Sequence, residues 1–167
     1  SNQPNLLLEC DLCESWELNE DLAYVFKLRP GIFWQNVAPV NGRALNAQDI
    51  VFSLDRLKTP GWPNAPLRSS IGEATALDDL TVQVELALED ADALLALADG
   101  HVKIVAPEVV AMYGDLKDAP VVGTGPWVWQ ETAPGEGMEF TRNSTYFENN
   151  LPFLDQLNIT IMRAGLL

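Results

Sequence analysis

The chain has 167 residues, 47% of them apolar and 20% charged, which is enough for one domain or slightly more and is the composition of a globular rather than a disordered protein. Its net charge of −14, with ten scattered basic residues, excludes a nucleic-acid partner and argues against docking to anionic lipid, since both need clustered Lys and Arg. No apolar run approaches the roughly 20 residues that span a bilayer, so this segment is not expected to insert into a membrane.

The start, Ser1-Asn2-Gln3-Pro4, is polar and lacks Met, and reads as the edge of a segment whose native N-terminus lies upstream. Cys10 and Cys13 follow in C-x-x-C spacing. A structural zinc site needs four ligands, and His101 is the only histidine, so no metal is expected. A thioredoxin-like pair would open a helix, whereas this stretch runs into Ser15-Trp16-Glu17-Leu18, which reads as a strand. Two thiols three residues apart in nearly extended chain have poor disulfide geometry. The pair is therefore read as two incidental small residues.

Residues 23–28, AYVFKL, alternate Tyr24, Phe26 and Leu28 against Ala23, Val25 and Lys27, and with Trp16 and Leu18 they predict a hairpin across the polar NED at 19–21. Ile32-Phe33-Trp34 opens another extended run. Asn46 and Asp49 form a capping-box pattern ahead of a helix whose apolar face is Ile50, Val51, Leu54 and Leu57. Thr59-Pro60-Gly61 ends that helix, and the loop GWPNAPLRSS has no period. Ile71–Leu77 and Leu80–Leu86 predict two strands around Asp78-Asp79. Glu89–Ala98 predicts a short helix with Ala91, Leu94, Leu95 and Ala98 inward and Gly100 as its C-terminal stop. Pro107 opens a further helix. Beyond Val121, two strands joined by Pro134-Gly135-Glu136-Gly137 precede a last strand with Leu157, Ile159 and Ile161 inward. Short strands mixed with short helices give an α+β class: a small, mainly antiparallel sheet with two or three short helices.

Few residues carry chemistry. Asp78-Asp79 and Glu89/Asp90/Asp92 lack the alternation, Gly and closing Glu of a calcium loop and read as solvated turn and helix-start charges. His101 has no accompanying nucleophile motif, so no catalytic residue and no enzyme activity is expected. Val122-Gly123-Thr124-Gly125-Pro126 lacks the Lys-Ser/Thr of a phosphate loop, and Pro126 removes an amide that a phosphate would use. No cofactor is expected. The N-x-T sequons at Asn143 and Asn158 read as chance. Trp16, Trp34, Trp127 and Trp129 read as strand core, whereas Trp62, in the aperiodic loop, is a candidate binding residue because loops carry function.

The order of motifs says more. DLCESWELNEDLAYVFKLRPGIFWQN followed by GRALNAQDIVFSLDRL resembles the LAESWE strand, YTFKLRPGVKF strand and PLTAEDVVFSLER helix of the peptide- and nickel-type solute-binding proteins of bacterial ABC importers, solute-binding family 5. VVGTGPWVWQETAPGEGMEFTRNSTYF and LPFLDQLNITI resemble that family's PVGTGPYKLKEWKPGESIVLERNPDYW and PYLDEIVFRI. Cys13 stands where the family usually has Ala, and Cys10 where it often has Pro. FWQNVAPVNG replaces the family's shorter KFHDG, and STYFENN replaces NPDYWGG.

The resemblance implies part of lobe I of a two-lobed type II periplasmic binding protein. Residues 7–118 would be the small subdomain of lobe I and residues 119–167 the strands returning to its main part, with the rest of lobe I and lobe II absent. It implies capture of peptides or similar small solutes and delivery to ABC permease subunits. The location implied is periplasmic or extracellular, with a lipid anchor on the missing N-terminus as one form of it. Two loops match places where family members face the cleft, one with Trp62 and Arg68 and one around Gly100 and His101, so these side chains are the expected ligand-binding residues. The Gly123–Trp127 turn lies where the chain re-enters the main lobe, and its glycines are expected to supply tight backbone turns. The alternative function is a ligand-sensing domain of a transcriptional regulator or another solute-binding-like sensor.

Overall fold

The computed structural model describes residues 8–60, 69–87, 90, 92–114, 116–130 and 137–161. The elements are strands β1 (Cys13–Leu18) and β2 (Ala23–Leu28), helix α1 (Ala47–Leu57), strands β3 (Ile71–Asp78) and β4 (Thr81–Leu86), helices α2 (Ala93–Leu97) and α3 (Pro107–Tyr113), and strands β5 (Trp127–Gln130), β6 (Met138–Arg142) and β7 (Gln156–Ile159). The expected α+β class is present, with every described strand pair antiparallel, but the strands form two sheets instead of one. The chain divides into a first unit, residues 1–30 and 46–107, and a second, residues 31–45 and 108–167.

The first unit is a four-stranded sheet in the order β1-β2-β4-β3. Trp16 pairs with Phe26, Phe26 with Val82, and Val82 with Ala76, so the period-2 apolar residues of all four strands fall on one face. Helix α1 covers part of that face, and Leu28, Ala47, Leu54, Ile71, Ala74, Val82 and Val84 form the core. Fully burying a side chain such as Val82 or Val84 stabilises by about 1.5–3 kcal/mol. Helix α1 starts where its capping box requires. The Asn46 side chain accepts from the Asp49 amide at 3.2 Å, and the Asn46 amide donates back to Asp49 Oδ2 at 3.1 Å. On α1, Leu54 and Leu57 are buried as expected, whereas Ile50 and Val51 are only half-buried. Ser53, 1% exposed, is tied to α1 and to the segment beyond α2: its hydroxyl donates to the Asp49 carbonyl at 2.7 Å and accepts from the Val105 amide at 2.9 Å.

Three expectations in this unit need correction. Cys10 and Cys13 form a disulfide with their Cα atoms 5.0 Å apart. The chain is not extended between them, because it bends at Asp11 and Leu12 before β1 begins, and that bend brings the sulfurs together. Arg29 secures the bend: Nε donates to the Asp11 carbonyl at 2.7 Å, and its backbone amide to the Leu12 carbonyl at 2.9 Å. Next, α2 is five residues long and turned from its expected face, with Ala93 buried and Leu95 52% exposed (Glu89 and Ala91 lie outside the described residues). Its C-cap is Ala98, so the left-handed stop position would be Asp99 and Gly100 lies one residue beyond it, without a positive φ.

In the second unit, β5, β6 and β7 form a sheet in that order. Trp129, Phe140 and Leu157 lie in one cross-strand row, flanked on the same face by Met138 and Ile159. Of the three residues expected inward on the last strand, only Leu157 is half-buried, while Ile159 and Ile161 are 43% and 57% exposed. Of the expected turn Pro134–Gly137 only Gly137 is among the described residues; its φ is +116°, and a Cβ there would meet the Ile159 carbonyl oxygen at 2.2 Å. Trp34 is 1% exposed but lies outside any strand. Phe33 and Ala44 form an isolated bridge, and the Trp34 amide donates to the Arg43 carbonyl at 2.9 Å. The long stretch between them is a turn, with Asn41 and Gly42 at φ +55° and +73°.

Candidate functional site

In the first unit, the apolar face of β1 and β2 is not filled by α1 alone. A cavity of about 410 Å³ remains, walled by Trp16, Phe26 and Leu28 from the sheet, Ile50 and Leu54 from α1, and Leu94 and Leu97 from α2. The bend at 10–13 and the segment 98–104 supply further lining. These side walls are held by a covalent bond and hydrogen bonds, the disulfide and Arg29 on one and Ser53 on the other. Glu9, Asp11, Asp99 and Lys103 are the charged residues among its lining.

The expected loop around Gly100 and His101 borders this cavity. Gly100 contributes to the lining, but His101 does not. The His101 ring is exposed, with Nδ1 2.7 Å from Asp99 Oδ1, and its backbone amide donates to the same oxygen at 2.8 Å. Trp62 and Arg68 lie outside the described residues, so of the three candidate side chains the structure describes His101 alone.

Asp78 and Asp90, from the two carboxylate clusters, form turns. Asp78 Oδ1 accepts from the Leu80 amide at 2.8 Å in the β3–β4 turn, and that bond holds its carboxyl below the ordinary range. Asp90 is lowered by the Ser70 hydroxyl, which donates to it, and by the Asp92 amide at 2.9 Å. Among the described residues no group of three His, Cys, Asp or Glu could hold a metal ion.

In the second unit, the Gly123–Trp127 turn is held by two buried amide side chains, Gln35, which the sequence did not single out, and Asn143, noted there only as a sequon. Gln35, 3% exposed, donates from Nε2 to the Trp127 carbonyl at 2.7 Å and the Gly125 carbonyl at 3.3 Å, and its Oε1 accepts from the Gly123 amide at 3.2 Å. Asn143, 5% exposed, donates to the Gly125 carbonyl at 2.9 Å and accepts from the Thr145 amide at 3.1 Å. Neither Gly123 nor Gly125 has a positive φ or a close neighbour a Cβ would strike. The turn is shaped by these side chains rather than by glycine freedom, and the side-chain nitrogen of the Asn143 sequon is occupied. Arg43 stacks 5.8 Å above the Trp34 ring and forms a two-pronged ion pair with Glu108, whose carboxyl is held below its ordinary 4.5 mainly by that hydrogen bonding. Gln35, set between Trp34 and Asn36, carries no sequence signal of its role in that turn.

Comparison with known proteins places these features in context. Residues 8–165 match the family described as bacterial extracellular solute-binding proteins, family 5 middle. The heme-binding protein A of Haemophilus influenzae is 27% identical over 93% of this chain and 32% of its own length. The dipeptide-binding protein of Escherichia coli K12 is 30% identical over 90% of this chain and 32% of its own. Among solved structures, a solute-binding protein of A. tumefaciens R10 in complex with mannopinic acid superposes with a TM-score of 0.80 at 30% identity, over 92% of this chain and 31% of that one. The chain thus spans about a third of the length of these relatives.

Proposed function

The chain belongs to the bacterial extracellular solute-binding proteins of family 5, and from that membership we propose that it is a segment of the ligand-capturing component of an ABC importer. Its cargo is a peptide or similar small solute, and its partners in the intact transporter are the permease subunits. The location is the periplasm or the outer surface of the cell, with a lipid anchor upstream as one arrangement. The observation that carries this reading is the family match over residues 8–165, which takes in both units. Family members are binding proteins, and an extracytoplasmic setting suits the disulfide. Among the described residues no helix is long and apolar enough to cross a membrane.

In this reading, residues 7–118 are the small subdomain of lobe I and residues 119–167 are strands returning to its main part. Trp62, Arg68 and His101 are the ligand-facing side chains, a role supported for His101 by its exposed ring on a short loop. Closure of two lobes around the ligand belongs to the whole protein.

The test is the size and location of the native gene product in source cells, probed with an antibody against this chain, followed by titration of the full-length protein with di- and tripeptides. The expected result is a band much larger than 18.4 kDa in the periplasmic or envelope fraction that binds peptides. A large cytoplasmic band would favour the ligand-sensing alternative, and a band at 18.4 kDa would overturn the segment reading.

A further inference from the structure

We propose that the 410 Å³ cavity of the first unit binds one small molecule with an aromatic or branched apolar body and a single amine head. The proposal goes beyond solute capture by the intact importer and does not depend on it.

Size is the first argument. Ligand sites typically run from about 300 to 1,000 Å³, and an apolar cavity of about 150 Å³ is already enough to take benzene. The space under β1 and β2 has room for a ring with a short chain. The second argument is the chemistry of the walls. Trp16, Phe26, Leu54 and Leu97 offer no hydrogen-bonding partner to an occupant apart from the Trp16 indole nitrogen, so an inserted charge would lose its hydration uncompensated. The body must therefore be apolar.

The head is decided by the remaining lining. Glu9, Asp11 and Lys103 are exposed and Asp99 is half-exposed, so the charged side chains lie toward solvent. They comprise three carboxylates and one ammonium. One Asp99 oxygen is already engaged by His101, so a cation would meet chiefly the Glu9 and Asp11 carboxylates, set against the single ammonium of Lys103. An amine is favoured at that mouth, and a carboxylate is repelled by it and by the net charge of −14. The walls are fixed independently of any occupant. The Cys10–Cys13 disulfide and Arg29 hold the 10–13 bend, and Ser53 holds the segment after α2, so the empty space does not close by collapse.

The probes are a matched pair, 2-phenylethylamine and 3-phenylpropionate, titrated by calorimetry into the purified 167-residue chain. The amine is expected to saturate one site, with the acid at least about tenfold weaker, the factor worth ~1.4 kcal/mol. Leu97→Trp fills the space and is expected to abolish amine binding while the thermal midpoint holds or rises. Asp11→Lys, at an exposed position, is expected to remove the preference for the amine without affecting folding. The proposal is overturned if the amine does not saturate in the millimolar range or if both probes bind equally. Amine binding that survives a folded Leu97→Trp chain also overturns it. If Leu97→Trp fails to fold, Asp11→Lys decides: an unchanged preference overturns the proposal.

Discussion

Replacing Gln35 by Leu should destabilise the second unit markedly, although the swap nearly conserves volume. The side chain is 3% exposed and makes three hydrogen bonds, to the Gly123 amide and to the Gly125 and Trp127 carbonyls. The Gly125 carbonyl keeps its bond from Asn143 at 2.9 Å, so two backbone groups lose this partner. Each such loss in a buried site costs about 1–3 kcal/mol, and because the bonds are only partly buried the lower half applies, giving about 3 kcal/mol in all. In a chain of this length that is a fall of about 6–12 °C in the thermal midpoint. Intrinsic fluorescence during thermal and urea unfolding measures it, since Trp127 and Trp129 lie in the affected sheet. Gln130→Ala, which loses an exposed bond to Thr141 at 2.9 Å, is the control and should stay within about 0.5 kcal/mol. A loss below about 1 kcal/mol for Gln35→Leu would falsify the assignment of that side chain as the clamp of the turn.

Asn46→Ala removes one half of the capping box and should cost about 1 kcal/mol by urea titration, with Asn46→Gly losing less. Cys13→Ser, or reduction with dithiothreitol, opens a four-residue loop, for which chain entropy gives about 2 kcal/mol. A thermal midpoint indifferent to reductant would count against a formed bond. Glu108→Gln should cost under about 1 kcal/mol at neutral pH, because both partners of the Arg43 pair are about a third exposed. The Glu108 carboxyl is lowered in the folded chain, so its contribution is complete above its ordinary 4.5 and fades as pH falls through the lower folded value. The wild-type and Glu108→Gln stability curves should therefore converge in acid, and a constant gap down to pH 2 would refute the pairing.

What could be read from the sequence was what short-range physics controls. Alternation placed β1–β4 and their shared apolar face, and Asn46 with Asp49 located the start of α1, because period-2 patterning and capping depend on neighbours a few residues away. The family followed from the order of such local signals. Periodicity failed where an element was short. In α2, five residues give barely more than one turn, and tertiary packing chose Ala93 over Leu95 for burial. The disulfide was misjudged because Arg29, sixteen residues beyond Cys13, holds the bend that makes it possible. Gln35 and Gly125 are 90 residues apart, and nothing local marks a glutamine as the partner of a distant turn. The cavity likewise depends on segments far apart in the chain, 8–16, 26–28, 50–54 and 94–104, coming together. Sequence determined the class, the strands and the family of this protein. Tertiary structure alone decided which polar groups were buried together and where space was left between the elements, because both depend on distances that local propensities do not encode.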